Sequence, residues 1–284
     1  MRPGVVSLGD SLSCGVGVGV RVPQPRTWVC LAASALGLPA TILASPGARA
    51  RDVRHHQLPR LPQERASVVT LLVGYNDVAG PGFDPASLAD DLKHVVRAAR
   101  AGGELLVLWR LADPSYRLPV PKRAAAGIRD RVMRANEAID ESAVVGEPTL
   151  VLDLAEVGGI RRRDAWAVDR LHTSAFGHYL MAHHLITALR TAGMEIAGSV
   201  RAPDPRRVPT RVDELYWLAR HGTPWAVGNL GRIGPPALDV LRGSRQRPAL
   251  RTVGRAQRPG HGPAGRVRGD RIRRGRIPDR HSSP

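Results

Sequence analysis

The sequence predicts an α/β fold, with a parallel sheet of five strands and helices on both faces. Three observations carry this. Apolar runs of strand length recur along residues 5–154. Longer segments with helical periodicity lie between them. Gly, Pro, Asn and Asp separate one kind of segment from the other. Such alternation favours right-handed βαβ units. Five strands suggest the doubly wound order 2-1-3-4-5, which opens a ligand crevice at the carboxyl ends of strands one and three.

The first strand is the apolar run from Val5 to Leu8, closed by the turn Gly9-Asp10. Ser11 follows, where a helix would begin. Residues 28–36 have helical character, and residues 40–44 read as the second strand, ended by Ser45-Pro46-Gly47. Residues 49–58 read as a short polar helix carrying solvated His55 and His56. The third strand, residues 68–73, ends at Gly74-Tyr75-Asn76-Asp77. Asp84-Pro85 then opens a helix with an N-cap and a first-turn proline, with Leu88, Leu92, Val95 and Val96 on one stripe. Gly102-Gly103 stops it. Residues 104–111 are the fourth strand, residues 121–143 a long helix, and residues 149–154 the fifth strand. Thr173 or Ser174 caps a last helix reaching about Leu189.

A hydrophobic fraction of 43% supports a real core, and with aromatics at 4% that core is expected to be aliphatic. Cys14 and Cys30 are too few for a disulfide framework. Free thiols are the default, with a single bridge left open. The charge-free stretch 27–48 is interrupted by Gly37-Leu38-Pro39 and reads as helix plus strand, not as a membrane span. Asp10 breaks the first apolar run, so no secretory signal is evident. The expected compartment is the cytoplasm, unless an upstream leader is missing. No transmembrane segment is expected.

The formal charge of +17 is concentrated at the C-terminus, where residues 241–284 hold thirteen Arg against Asp270 and Asp279. Attraction to nucleic acid or another polyanion is physically plausible for such a tail. Three regions are expected: an α/β domain over 1–200, a Pro/Arg linker with a short helical extension over 201–238, and an Arg-rich disordered tail over 239–284. The extension has two readings. It is either an amphipathic surface element that touches lipid or shapes an acyl site, or a helix packed back on the main domain, and the second is preferred.

Several residues are candidates for chemistry. Ser11 is either a helix cap or a nucleophile. Asp169 and His172 form a D-x-x-H pair, in which a carboxylate three residues before a histidine can fold back in one turn and hold Nδ1–H. The alternative for that pair is a solvated surface turn. The Ser11 N–H, the Gly47 N–H and the Asn76 amide are candidate oxyanion donors, and each of the last two is also an ordinary turn residue. Gly15, Gly17 and Gly19 do not fit the dinucleotide fingerprint, whose third Gly comes later and whose acid follows about 20 residues on. They read as a flexible loop beside the site. His178, His183 and His184 lack an acid or Cys at ligand spacing, so no metal or other cofactor is expected. His178 reads as a packing or capping residue.

These segments together resemble the GDSL/SGNH hydrolases. Gly9-Asp10-Ser11-Leu12 matches the naming motif, Gly47 resembles the second block, Gly74-Tyr75-Asn76-Asp77 the third, and Asp169 with His172 the last. The resemblance spans about residues 5–189 and implies a three-layer α/β/α, flavodoxin-like fold. It also implies hydrolysis of small carboxylic esters through an acyl-enzyme. Ser11 would be the nucleophile, His172 the base and Asp169 its orienting partner, with Ser11, Gly47 and Asn76 as the oxyanion hole. Two other functions stay open: acyl transfer by the same triad, and an idle domain whose Arg-rich tail binds polyanions.

Overall fold

The computed structural model describes residues 4–80, 82–143, 149–203 and 208–228. Five parallel strands form one sheet: β1 (Val5–Gly9), β2 (Ala40–Ile42), β3 (Ala66–Leu72), β4 (Gly103–Arg110) and β5 (Thr149–Asp153). Their order is 2-1-3-4-5, as the alternation predicts. Val5 pairs with Ala40 on one side and Val68 on the other, which makes β1 an inner strand. All five of its residues are buried, and its sequence is apolar apart from Ser7.

The main helices are α1 (Ser11–Cys14), α2 (Trp28–Leu36), α3 (Pro85–Ala101), α4 (Lys122–Ala143) and α5 (Ala175–Thr191), with α6 (Arg211–Trp217) in the extension. Asp84 caps α3 by accepting from the N–H groups of Ala86 and Ser87, both at 3.2 Å. Its buried stripe contains Leu88, Leu92, Val95 and Val96, the residues at helical spacing in the sequence. Ser174, not Thr173, caps α5, with its hydroxyl accepting from Gly177 N–H at 3.1 Å.

Some expectations need correction. The polar helix at 49–58 is present but changes pitch along its length: an α turn Ala50–Asp52, a π turn Val53–Gln57 and a 3₁₀ turn Leu58–Arg60. Gln57 is buried inside this segment and bonds both backbone groups of Gly9, its Oε1 accepting from N–H and its Nε2 donating to C=O, each at 2.8 Å. The Gly-rich stretch is not a loop but an antiparallel hairpin, Val16–Gly17 with Val20–Arg21. The core is mainly aliphatic, yet Trp28, Trp109 and Trp166 are among its largest fully buried side chains. Trp28 meets Trp109 edge-on, with centroids 5.4 Å apart. Two indoles satisfy their N–H groups on backbone carbonyls, Trp28 on Leu12 at 3.0 Å and Trp166 on Ile160 at 2.6 Å, which is what admits them to the core.

Cys14 and Cys30 are both free thiols. Among the described residues, no helix is long and apolar enough to cross a membrane. The helical extension is present as α6, followed by a π turn Leu218–Gly222 and a helix Thr223–Gly228. The 239–284 tail lies outside the described residues.

Gln57→Ala would leave the Gly9 N–H buried without its partner, while the Gly9 C=O would keep the Ser45 N–H at 3.2 Å. It is expected to lower the unfolding free energy by about 2 kcal/mol, measured by denaturant titration. A loss below about 0.5 kcal/mol would show that other groups satisfy Gly9 in its absence.

Candidate active site

The site lies at the carboxyl edge of the sheet, where β1 and β3 end and the strand order reverses. Gly9 closes β1 at φ 136°, and a Cβ there would sit 2.1 Å from the Leu72 carbonyl oxygen. Only glycine lets the chain turn so close to β3. Asp10 then caps α1, its Oδ1 accepting from Leu12 N–H at 3.0 Å. The capping role left open for Ser11 therefore belongs to its neighbour. The Ser11 hydroxyl turns to His172 instead, with Oγ 2.9 Å from Nε2.

His172 comes from the loop between β5 and α5. That loop is closed by Ala167 N–H donating to the His172 carbonyl at 2.8 Å and Ser174 N–H donating to that of Ala165 at 3.0 Å. Asp169 folds back inside it. Its Oδ1 accepts from the N–H groups of Leu171 and His172, both at 3.0 Å, and its Oδ2 lies 2.5 Å from His172 Nδ1. The Asp169 side chain is 1% exposed, which rules out the solvated-turn reading. A carboxylate at Nδ1 can only accept, so Nδ1 carries the ring proton and Nε2 is left to accept from Ser11 Oγ–H.

Asn76 stands on the short helix Tyr75–Ala79 after β3. Its Nδ2 donates to the Ala48 carbonyl at 3.0 Å and lies 3.5 Å from Asp10 Oδ2. It lines the same pocket as Ser11 and His172. Gly47 sits in the exposed turn after β2 at φ 76°, where a Cβ would meet nothing within 4 Å. Its glycine thus answers to backbone conformation and not to crowding, and it stands outside the pocket wall. The pocket measures about 480 Å³ and is mostly apolar, with Tyr75, Val78, Leu118, Val120 and Ile128 among its lining residues.

Four further residues shape the site, and their pairings carried no signal in the sequence. Asp77 accepts from Ala50 N–H at 3.2 and 3.3 Å and so ties the turn bearing Gly47 to the helix bearing Asn76. Burial raises its carboxyl to about 6 against the pull of that N–H. Burial likewise pushes Asp10 up to about 7, opposed by the Leu12 N–H and the nearby His172. His178 packs behind the site, accepting from Trp28 N–H at Nδ1 and meeting Thr173 Oγ1 at Nε2, both at 3.2 Å. Burial, aided by His172, drops it to about 3, so it is a neutral structural imidazole. Gly17 of the hairpin lies against the His172 ring, where a Cβ would come within 2.4 Å of Nδ1.

A hydroxyl, an imidazole and a carboxylate aligned at the edge of an α/β/α sheet, beside an apolar pocket, are the arrangement of a hydrolase. The chain belongs to the GDSL-like lipase/acylhydrolase family, whose model matches residues 7–180. It is accordingly an ester-hydrolysing enzyme with the SGNH fold. Among solved structures it is similar to an extracellular lipase from Streptomyces rimosus, at 20% identity and a TM-score of 0.51, covering 67% of this chain and 100% of that one. It is also similar to a protein of the G-D-S-L family from Desulfitobacterium hafniense DCB-2, at 18% identity and a TM-score of 0.52, covering 65% of this chain and 98% of that one. No curated protein matches the sequence.

The raised Asp10 carboxyl has a pH signature. Unfolded, it ionises near its ordinary 3.8; folded, near about 7. Its protonated form therefore favours the fold at low pH, and that contribution is lost as pH rises from about 4 through about 7. Asp10→Asn keeps a capping acceptor but cannot ionise. Its melting temperature relative to wild type should rise between pH 5 and 8, and a flat difference would contradict the burial of a neutral carboxyl.

Proposed function

We propose that the protein hydrolyses small carboxylic esters with Ser11 as nucleophile, His172 as general base and Asp169 as the group that orients His172. The observation that carries this is the continuous hydrogen-bonded line from Asp169 Oδ2 through the imidazole to Ser11 Oγ, at 2.5 and 2.9 Å. As Ser11 Oγ attacks the ester carbonyl, its proton passes to His172 Nε2. The buried Asp169 carboxylate stabilises the imidazolium that forms. The carbonyl oxygen becomes an oxyanion, for which Ser11 N–H and the Asn76 amide are the donors on the pocket wall and Gly47 N–H, from the turn outside that wall, is assigned as the third. Collapse releases the alcohol, which takes the proton from His172 and leaves an acyl group on Ser11. Water, deprotonated by the same imidazole, then frees the acid.

The apolar pocket beside Ser11 supports an acyl chain as the group it holds. A p-nitrophenyl ester series of increasing acyl length tests both parts of the reading. Wild type should show a chain-length optimum, and Ser11→Ala should lose the activity throughout. Equal rates in the two proteins would contradict the assignment of Ser11.

Asn76→Ala removes one oxyanion donor. It should lower kcat by about 100- to 1000-fold with little change in KM, read from steady-state kinetics on the best ester of that series. An unchanged kcat would take Asn76 out of the oxyanion hole.

A further inference from the structure

The family match ends at residue 180, yet α6 reaches the site from beyond it. Two sets of contacts make the connection. In the first, the Glu214 carboxylate bridges two arginines of the His172 loop, Oε1 pairing with Arg163 and Oε2 with Arg170. Arg163 also reaches the carbonyls of Trp166 and Ala167, at 3.4 and 3.3 Å, on the incoming side of the loop. Arg170 lies between Asp169 and His172 at φ 59°, the left-handed conformation that a non-glycine residue adopts at a cost. Its guanidinium also donates to the Arg117 carbonyl at 3.2 Å, and Arg117 Nε donates back to the Arg170 carbonyl at 2.7 Å. Burial raises the Glu214 carboxyl, but the hydrogen bonds from Arg170 and Arg163 outweigh it and hold the group below its ordinary range as an anion.

In the second set, the Trp217 indole N–H donates to the Val18 carbonyl at 2.8 Å, at the tip of the hairpin. The π turn after α6 places His221 against Gly19, where a Cβ would come within 2.7 Å of the ring. On the first strand of that hairpin, Gly17 rests on the His172 imidazole. The hairpin is therefore held between the extension and the ring.

We infer that α6 is a brace, with Glu214 and Trp217 as positioning residues that hold the His172 loop and the hairpin so that Nε2 stays in line with Ser11. The inference rests on the assignment of His172 as the general base. Neither residue touches the reacting atoms. They act through Arg170 and the Asp169 turn on one side and through Gly17 on the other. Two glycines of the run are thereby explained, since a side chain at 17 would meet the imidazole and one at 19 would meet His221 just after α6.

The test uses the full chain and two variants. Glu214→Gln keeps the size of the side chain but removes its charge and one acceptor. Trp217→Phe keeps a ring but removes the N–H. Each should lower kcat by about tenfold, because catalysis is sensitive to small displacements of the base, while KM stays within about twofold. Leu215→Ala, at a position 65% exposed on the same helix, should match wild type. The second readout is the downfield proton resonance of His172 Nδ1–H in its bond to Asp169. It should broaden or move in both variants and stay unchanged in Leu215→Ala. Variants that melt at lower temperature but keep both kcat and the resonance would overturn the brace and leave α6 as ordinary packing. Wild type without Ser11-dependent hydrolysis would overturn the functional reading instead, and the resonance would still report on the brace.

Discussion

The bond between the Asp169 carboxylate and His172 Nδ1–H is the constraint from which the site takes its geometry. It fixes the ring's tautomer, and with it which nitrogen is free to face Ser11. The carboxylate is itself held by two backbone N–H groups of its own turn and is almost completely withdrawn from water. An anion in that position costs desolvation, which three donated hydrogen bonds offset. Its strength as a partner for an imidazolium comes from the same withdrawal from water.

Everything around this bond brings distant pieces of chain to one rim. The doubly wound sheet puts the ends of β1 and β3 side by side, so Ser11 and Asn76 converge although 65 residues separate them in the chain. Buried polar side chains then lock the loops. Gln57 replaces a missing strand partner at Gly9, Asp77 ties the second turn to the third, and His178 joins the start of α2 to Thr173 beside the imidazole. Each of these residues sits where an unmatched polar group would be expensive, so each constrains the fold as well as the site. The extension adds a second layer through Glu214 and Trp217.

Much of the architecture was legible in the sequence because it rests on local patterns. Strand-length apolar runs, the Asp84-Pro85 cap and the D-x-x-H spacing each express their geometry within a few residues. What escaped was long-range. Gln57 looks like one polar residue among several in a polar stretch, and its partner is 48 positions away. The three core tryptophans are too few to alter an average composition, yet each is placed by a specific contact or carbonyl. The glycines at 15, 17 and 19 read as flexibility, because nothing nearby reveals that the His172 imidazole lies against Gly17 and His221 of the extension against Gly19. The choice between cap and nucleophile for Ser11 stayed open in the residues for a related reason. Either side chain can cap a helix start, and only the position of His172 decides which is released.

The alignment of Ser11 with His172 is tested most directly by covalent labelling with an activated phosphonate ester, followed by peptide mass analysis. The account predicts a single adduct on Ser11, formed rapidly in wild type and far more slowly in His172→Ala. An adduct on any other residue, or the same rate of Ser11 labelling with and without the imidazole, would contradict it.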